Sequence, residues 1–119
     1  MEYFSEREFE CHCCKGLACI AKPMKKDFLV KLEALAKEWG TYIEITSGRR
    51  CLSRNIKVGG APHSQHLYGN AVDLHFDEPS DTKKFALLAE KFGFNGIGLG
   101  IHLLHIDNRE KRAHWSYDK

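Results

Sequence analysis

The chain lacks any apolar run approaching the length of a membrane span, and Met1 to Glu6 shows neither the basic start nor the apolar stretch of a secretory signal. Neither membrane insertion nor a built-in export signal is expected. Charge of one sign is also missing. Eighteen Lys and Arg stand against 16 Asp and Glu, a net +2 with no long basic block, so a nucleic-acid partner is not expected. Repeats, low-complexity tracts and linkers are absent as well. With 119 residues, 43% of them hydrophobic, the sequence can enclose one core and has no room for a second. A monomer with one domain over 1–119 is expected, the Cys-rich segment 9–22 being part of it.

What is present reads as α+β. Pro23 precedes a helix in which Phe28, Leu32, Leu35 and Trp39 fall at helical spacing, a core-packing stripe that Gly40 ends. Tyr42 to Thr46 alternates as a strand leading into a Ser47-Gly48 turn, and Ser53 to Val58 suits a helical turn. A second helix is expected from Ser80 as N-cap, through Phe85, Leu88 and Phe92, to Gly93. Gly93 to Gly100 reads as a turn and a short strand, and Arg112 to Tyr117 as a last edge strand with Trp115 packed on the sheet. The expected architecture is one small, mostly antiparallel sheet with two main helices and a cleft.

Two further strands carry the chemistry. From Ala71 to Phe76 the alternation puts Val72, Leu74 and Phe76 on one face and Ala71, Asp73 and His75 on the other. Leu103 to Asp107 repeats the pattern, with Leu103, His105 and Asp107 opposite Leu104 and Ile106. Neighbouring strands would then present Asp73 and His105 to one cleft, and a turn at Gly69 would fold His66 over the same face. Two imidazoles and a carboxylate fill three positions of a zinc ion and leave the fourth for water, as a hydrolytic site requires. His75 shares the Asp73 face but reads as a partly exposed strand histidine. His63 and His114 are placed at the cleft border.

The run Ser64-Gln65-His66-Leu67-Tyr68-Gly69-Asn70-Ala71-Val72-Asp73, followed by His105-Ile106-Asp107, resembles the M15 zinc peptidases, as does the block Thr46-Ser47-Gly48-Arg49-Arg50-Cys51 with Asn55 and Val58-Gly59-Gly60-Ala61. The resemblance runs from Phe9 to Trp115. It implies that His66, Asp73 and His105 hold one catalytic zinc and that Arg50, together with Ser64, contacts substrate. A guanidinium suits that role because it grips carboxylates and carbonyls with paired hydrogen bonds. The implied substrate is a peptidoglycan stem peptide, cut by a D-Ala-D-Ala carboxypeptidase or an L-Ala-D-Glu endopeptidase. Several branches of the family place a glutamate three residues before the last histidine ligand. Here that position is His102, which becomes the candidate general base; Asp107 competes for that role, or else orients a ligand or binds Arg109. The missing glutamate keeps a second class open, a non-catalytic wall-binding or interaction module of the same fold, as in the hedgehog domains that resemble it. Action at the bacterial cell wall or periplasm, by a protein that is phage-encoded or cytoplasmic before release, is the matching expectation for location.

Cysteine is the remaining signal. Cys11, Cys13, Cys14 and Cys19 cluster near the N-terminus, and Cys51 stands alone after Arg50. A second, structural zinc at Cys11, Cys14, Cys19 and Cys51, with His12 as an alternative ligand, is the less favoured reading beside a disulfide to Cys51 or buried thiols.

Overall fold

The computed structural model describes residues 2–12 and 21–117. Helix α1 (Lys26–Trp39) buries Phe28, Leu32 and Leu35 completely, each contributing about 1.5–3 kcal/mol of apolar transfer free energy. Trp39, the last of the stripe, meets Phe76 and Phe85 edge-on with ring centres 5.9 and 5.1 Å apart. Gly40 ends the helix as expected. Helix α3 (Pro79–Lys91) starts before the expected position: Glu78, not Ser80, is the N-cap, and Pro79 opens the first turn, where its missing N–H costs no helical hydrogen bond. The short helix α2 (Leu52–Lys57) lies between them in the chain.

The strands β1 (Glu44–Ser47), β2 (Ala71–His75), β3 (Gly96–Leu99), β4 (Leu103–Asp107) and β5 (Ala113–Ser116) form one sheet in the order β1-β2-β4-β3-β5. All neighbours are antiparallel except β3 and β5, which run parallel. The first strand is shifted from its sequence reading. Tyr42 is 81% exposed, and pairing starts only where Glu44 meets His75. One sheet face carries Val72, Leu74, Leu104, Ile106 and Ile97 into the core with α1 and α3.

The opposite face carries the polar residues, and register aligns them. Ser47 stands opposite Asp73, Asp73 opposite His105, His105 opposite Gly98, and Gly98 opposite Trp115, a single row across all five strands. The adjacent row on that face is Ala71, Asp107, Gly96 and Ala113. Both β3 members are glycines for lack of space. A Cβ on Gly98 would strike the Trp115 indole, and one on Gly96 would strike the Asp107 carboxylate.

Of the cysteines, Cys11 and Cys51 are buried with their sulfurs 3.6 Å apart, which sets the N-terminal segment against the residue that follows Arg50. Cys14 and Cys19, invoked for a second zinc, lie outside the described residues, as does Cys13.

The crowding at Gly96 has a measurable consequence. Asp107 is held from several sides and cannot retreat, so Gly96→Ala should destabilise the fold by about 1–3 kcal/mol, read as a lower urea midpoint. An unchanged midpoint would mean that Asp107 does not sit against β3.

Candidate active site

Asp73 enters the site from β2 and His105 from β4, side by side by register. His66 arrives on a 3-10 turn (Gln65–Tyr68) whose N-cap, Ser64, accepts a hydrogen bond from the His66 amide through Oγ at 3.2 Å. Gly69 closes that turn at φ +66°, and a Cβ there would collide with the Pro23 carbonyl, so the return of His66 over the sheet depends on glycine. The outcome is a tight trio. His66 Nε2 lies 3.3 Å and His105 Nδ1 3.0 Å from Asp73 Oδ1, and one donor atom from each of the three residues fits within 4.8 Å of the others.

The far nitrogens decide the tautomers. His66 Nδ1 is 2.7 Å from the Gly48 carbonyl, which can only accept, so Nδ1 carries the proton and Nε2 turns a lone pair toward Asp73. His105 Nε2 is 2.6 Å from Asp107 Oδ2, which leaves its Nδ1 lone pair facing the same point. Two imidazole lone pairs and a carboxylate oxygen thus converge where a positive charge is required. Titration behaviour agrees. Burial pulls the His105 pKa down, but its hydrogen bonds to Asp107 and Asp73 and their charges outweigh burial and raise it. Burial pushes Asp73 up, yet hydrogen bonds and charge from His105 and His66 hold it well below the usual carboxylate range. In the metal-free chain the trio attracts a proton, and a divalent cation would satisfy the same donors with more charge. The donor set therefore fits a metal of the nitrogen- and oxygen-binding kind.

Around the trio, each remaining sequence candidate has a definite place. Arg50 is buried beside Asp73, with Nη2 3.5 Å from Asp73 Oδ2 and 3.3 Å from Ser47 Oγ, and with Nη1 donating to Asn55 Oδ1 at 3.0 Å. Asp107 is wholly buried behind His105. Its Oδ2 takes His105 Nε2 and Arg109 Nη2, and its Oδ1 takes Arg109 Nε at 2.8 Å, which together lower its pKa to about 2 against the upward pull of burial. It therefore positions His105 and does not face the cleft. The structure does not bring His102 to the trio. Its Nδ1 sits 3.0 Å from the Phe76 carbonyl, and its ring stacks on His75. An offset of three in extended chain reverses the face and adds about 10 Å, which takes it out of reach. His75 bonds Glu44, in keeping with its reading as a strand histidine. His63 lines the cleft, whereas His114 lines a groove beside α3.

The cleft itself encloses about 520 Å³ and is lined by Arg50, His63, the trio, Arg109, Trp115 and Tyr117 among others. From the sequence, Arg109 was read only as a partner of Asp107, which it is, and Trp115 only as packing on the sheet, while Tyr117 had no assigned role. The Trp115 ring lies 5.2 Å from that of His105 and carries the Arg109 guanidinium 5.1 Å above it. Their convergence follows from β5 pairing alongside two glycines, which local periodicity does not disclose.

The two-histidine, one-aspartate donor set lies in an open cleft and could hold a metal ion with a coordination position left for another ligand. Residues 2–107 match the family model of peptidase M15, and the chain belongs to that family. No curated protein matches it.

Metal analysis tests the trio directly. His66→Ala and Asp73→Ala should each lose the bound metal, and Asp107→Asn should keep it but with about 10–100-fold lower affinity in chelator competition, as loss of an orienting partner does. Parent-like metal content in both alanine variants would remove these residues from the ligand set. His102→Ala, placed away from the trio, should retain both metal and turnover; a loss of turnover at full metal content would bring His102 back as a proton carrier.

Proposed function

We propose that this peptidase is a zinc enzyme hydrolysing peptide bonds in peptidoglycan stem peptides, as a D-Ala-D-Ala carboxypeptidase or an L-Ala-D-Glu endopeptidase. The observation that carries the reading is the convergence of two imidazole lone pairs and one carboxylate oxygen on the floor of an open cleft, next to a guanidinium. His66, Asp73 and His105 would hold the zinc. Zinc bound there supplies a Lewis acid for the scissile carbonyl and a water of lowered pKa.

The chain's own groups do the rest. Gly48 and Asp107 fix the two ring orientations, so the donors need little rearrangement on loading. Arg50 sets a positive charge beside the donors, where a substrate carboxylate or carbonyl can share its fork with Asn55 and Ser47. Among the described residues that line the cleft, Asp73 is the sole carboxylate and it is already a donor. We assign uptake of the water proton to the imidazole of His63, which lines the cleft and is not one of the three donors. The same shortage of a carboxylate favours the second reading, a wall-binding module that keeps the metal without turnover.

No helix among the described residues is long and apolar enough to cross a membrane. We place the action of a monomer at the bacterial cell wall or periplasm, from a phage-encoded or cytoplasmically held protein.

Incubation with purified peptidoglycan separates the two readings. An enzyme should release amino acid or peptide, lose that activity to a chelator and regain it with zinc, and mass spectrometry of the products identifies the bond. Binding without release would select the module. For an active enzyme, Arg50→Lys should lower kcat/KM by about 10–100-fold, the equivalent of one charge-assisted contact of 1.5–3 kcal/mol. A Lys variant with the parent's kcat/KM would place Arg50 outside the substrate site.

A further inference from the structure

Tyr117 follows β5, with its amide donating to the Leu99 carbonyl at 3.0 Å, which extends the parallel pairing of β5 with β3 by one residue. Alternation along β5 puts Tyr117 on the same face as Trp115, two residues earlier, and therefore on the face that presents Asp73 and His105. The rings form a short file. His105 lies 5.2 Å from Trp115, and Trp115 meets Tyr117 edge-on at 6.4 Å with an interplanar angle of 82°. Tyr117 lines the same cleft as the trio and Arg50, and it is half exposed there.

Building on the peptidase reading above, we propose that the Tyr117 phenol is a catalytic hydrogen-bond donor. From the wall of the cleft its O–H would meet the oxyanion that forms when water adds to the scissile carbonyl. The step is balanced without any change in the phenol: the new C–O bond forms from water as one water O–H breaks and its proton passes to the His63 imidazole, the carbonyl π pair moves onto oxygen, and Tyr117 keeps its proton throughout. Two features support a donor and not a base. Burial raises the phenol pKa, and although the Trp115 side chain lowers it by hydrogen bonding, the negative charge of Asp73 adds to the upward shift. A phenol above its ordinary value of 10.0 is protonated at neutral pH. Placement on a paired strand end, braced against Trp115, fixes the ring before substrate arrives, which is what makes an oxyanion donor effective. The peptidase M15 match ends at residue 107, so this group lies outside the part of the chain that defines the family.

The test uses the zinc-loaded 119-residue chain and Tyr117→Phe, which removes one oxygen and leaves the ring packing. The expected result is a kcat lower by about a hundredfold, as for loss of one oxyanion donor, with KM, zinc content and urea midpoint unchanged. A second readout is independent of turnover. Affinity for a phosphinate dipeptide analogue, a tetrahedral anion, should fall at least tenfold by calorimetry, while affinity for the unreacted peptide stays the same. Unchanged kcat and phosphinate affinity in Tyr117→Phe overturn the proposal, and a change in KM alone overturns it in favour of a binding contact. A parent chain that holds zinc yet releases nothing overturns the peptidase reading, and this assignment with it. An active parent with an equally active Phe variant overturns the assignment alone.

Discussion

The Asp73 carboxylate is the group on which the rest of the cleft depends. It is largely buried, and an unpaired negative charge in such a place would cost several kcal/mol. The chain answers with Arg50 near one oxygen and, in the metal-free state, with a proton attracted between the other oxygen and the imidazoles of His66 and His105. Each of these is in turn held from behind: His66 by Gly48, His105 by Asp107, and Arg50 by Asn55 and Ser47. The charges balance pairwise, Asp73 with Arg50 and Asp107 with Arg109, before any cation is added. A cation that enters the trio is thus the surplus charge of the site, available to act on a substrate.

The sheet distributes this chemistry by face. On one side an aliphatic surface packs on two helices and supplies the burial that holds the strands in register. On the other, the strict two-residue alternation sets Asp73, His105 and Trp115 in one row and Asp107 in the next. A one-residue slip of β2 or β4 would turn the donors into the core, so core packing and donor geometry are enforced together. Glycines at 96 and 98 remove side chains from the middle of that face and leave room for the Asp107 carboxylate and the Trp115 indole beside His105.

Much of this was legible in the residues themselves. The alternation of both strands put Asp73 and His105 on one face, because extended chain has only two faces, while His66 was added by the expected turn at Gly69 and by the family resemblance. The helical stripe of Phe28, Leu32 and Leu35 was equally plain. His102 was the instructive difference. Its distance of three from His105 suggested a role borrowed from relatives, but in this chain the strand carries it to the Phe76 carbonyl and the His75 ring. Ser80 differed for a local reason, since Pro79 is itself a good first helical residue and moves the cap back to Glu78.

The sequence by itself determined the fold class and the two working faces, since these follow from periodicities of two and about 3.6, and its resemblance to the M15 peptidases implied the donor set. Only the tertiary structure decided which nitrogen of each histidine points inward, that Asp107 stands behind His105, and that Arg109, Trp115 and Tyr117 close the cleft. Those features depend on which strand lies beside which. The parallel placement of β5 against β3 joins residues far apart in the chain through backbone hydrogen bonds, and such pairing leaves no local periodic trace.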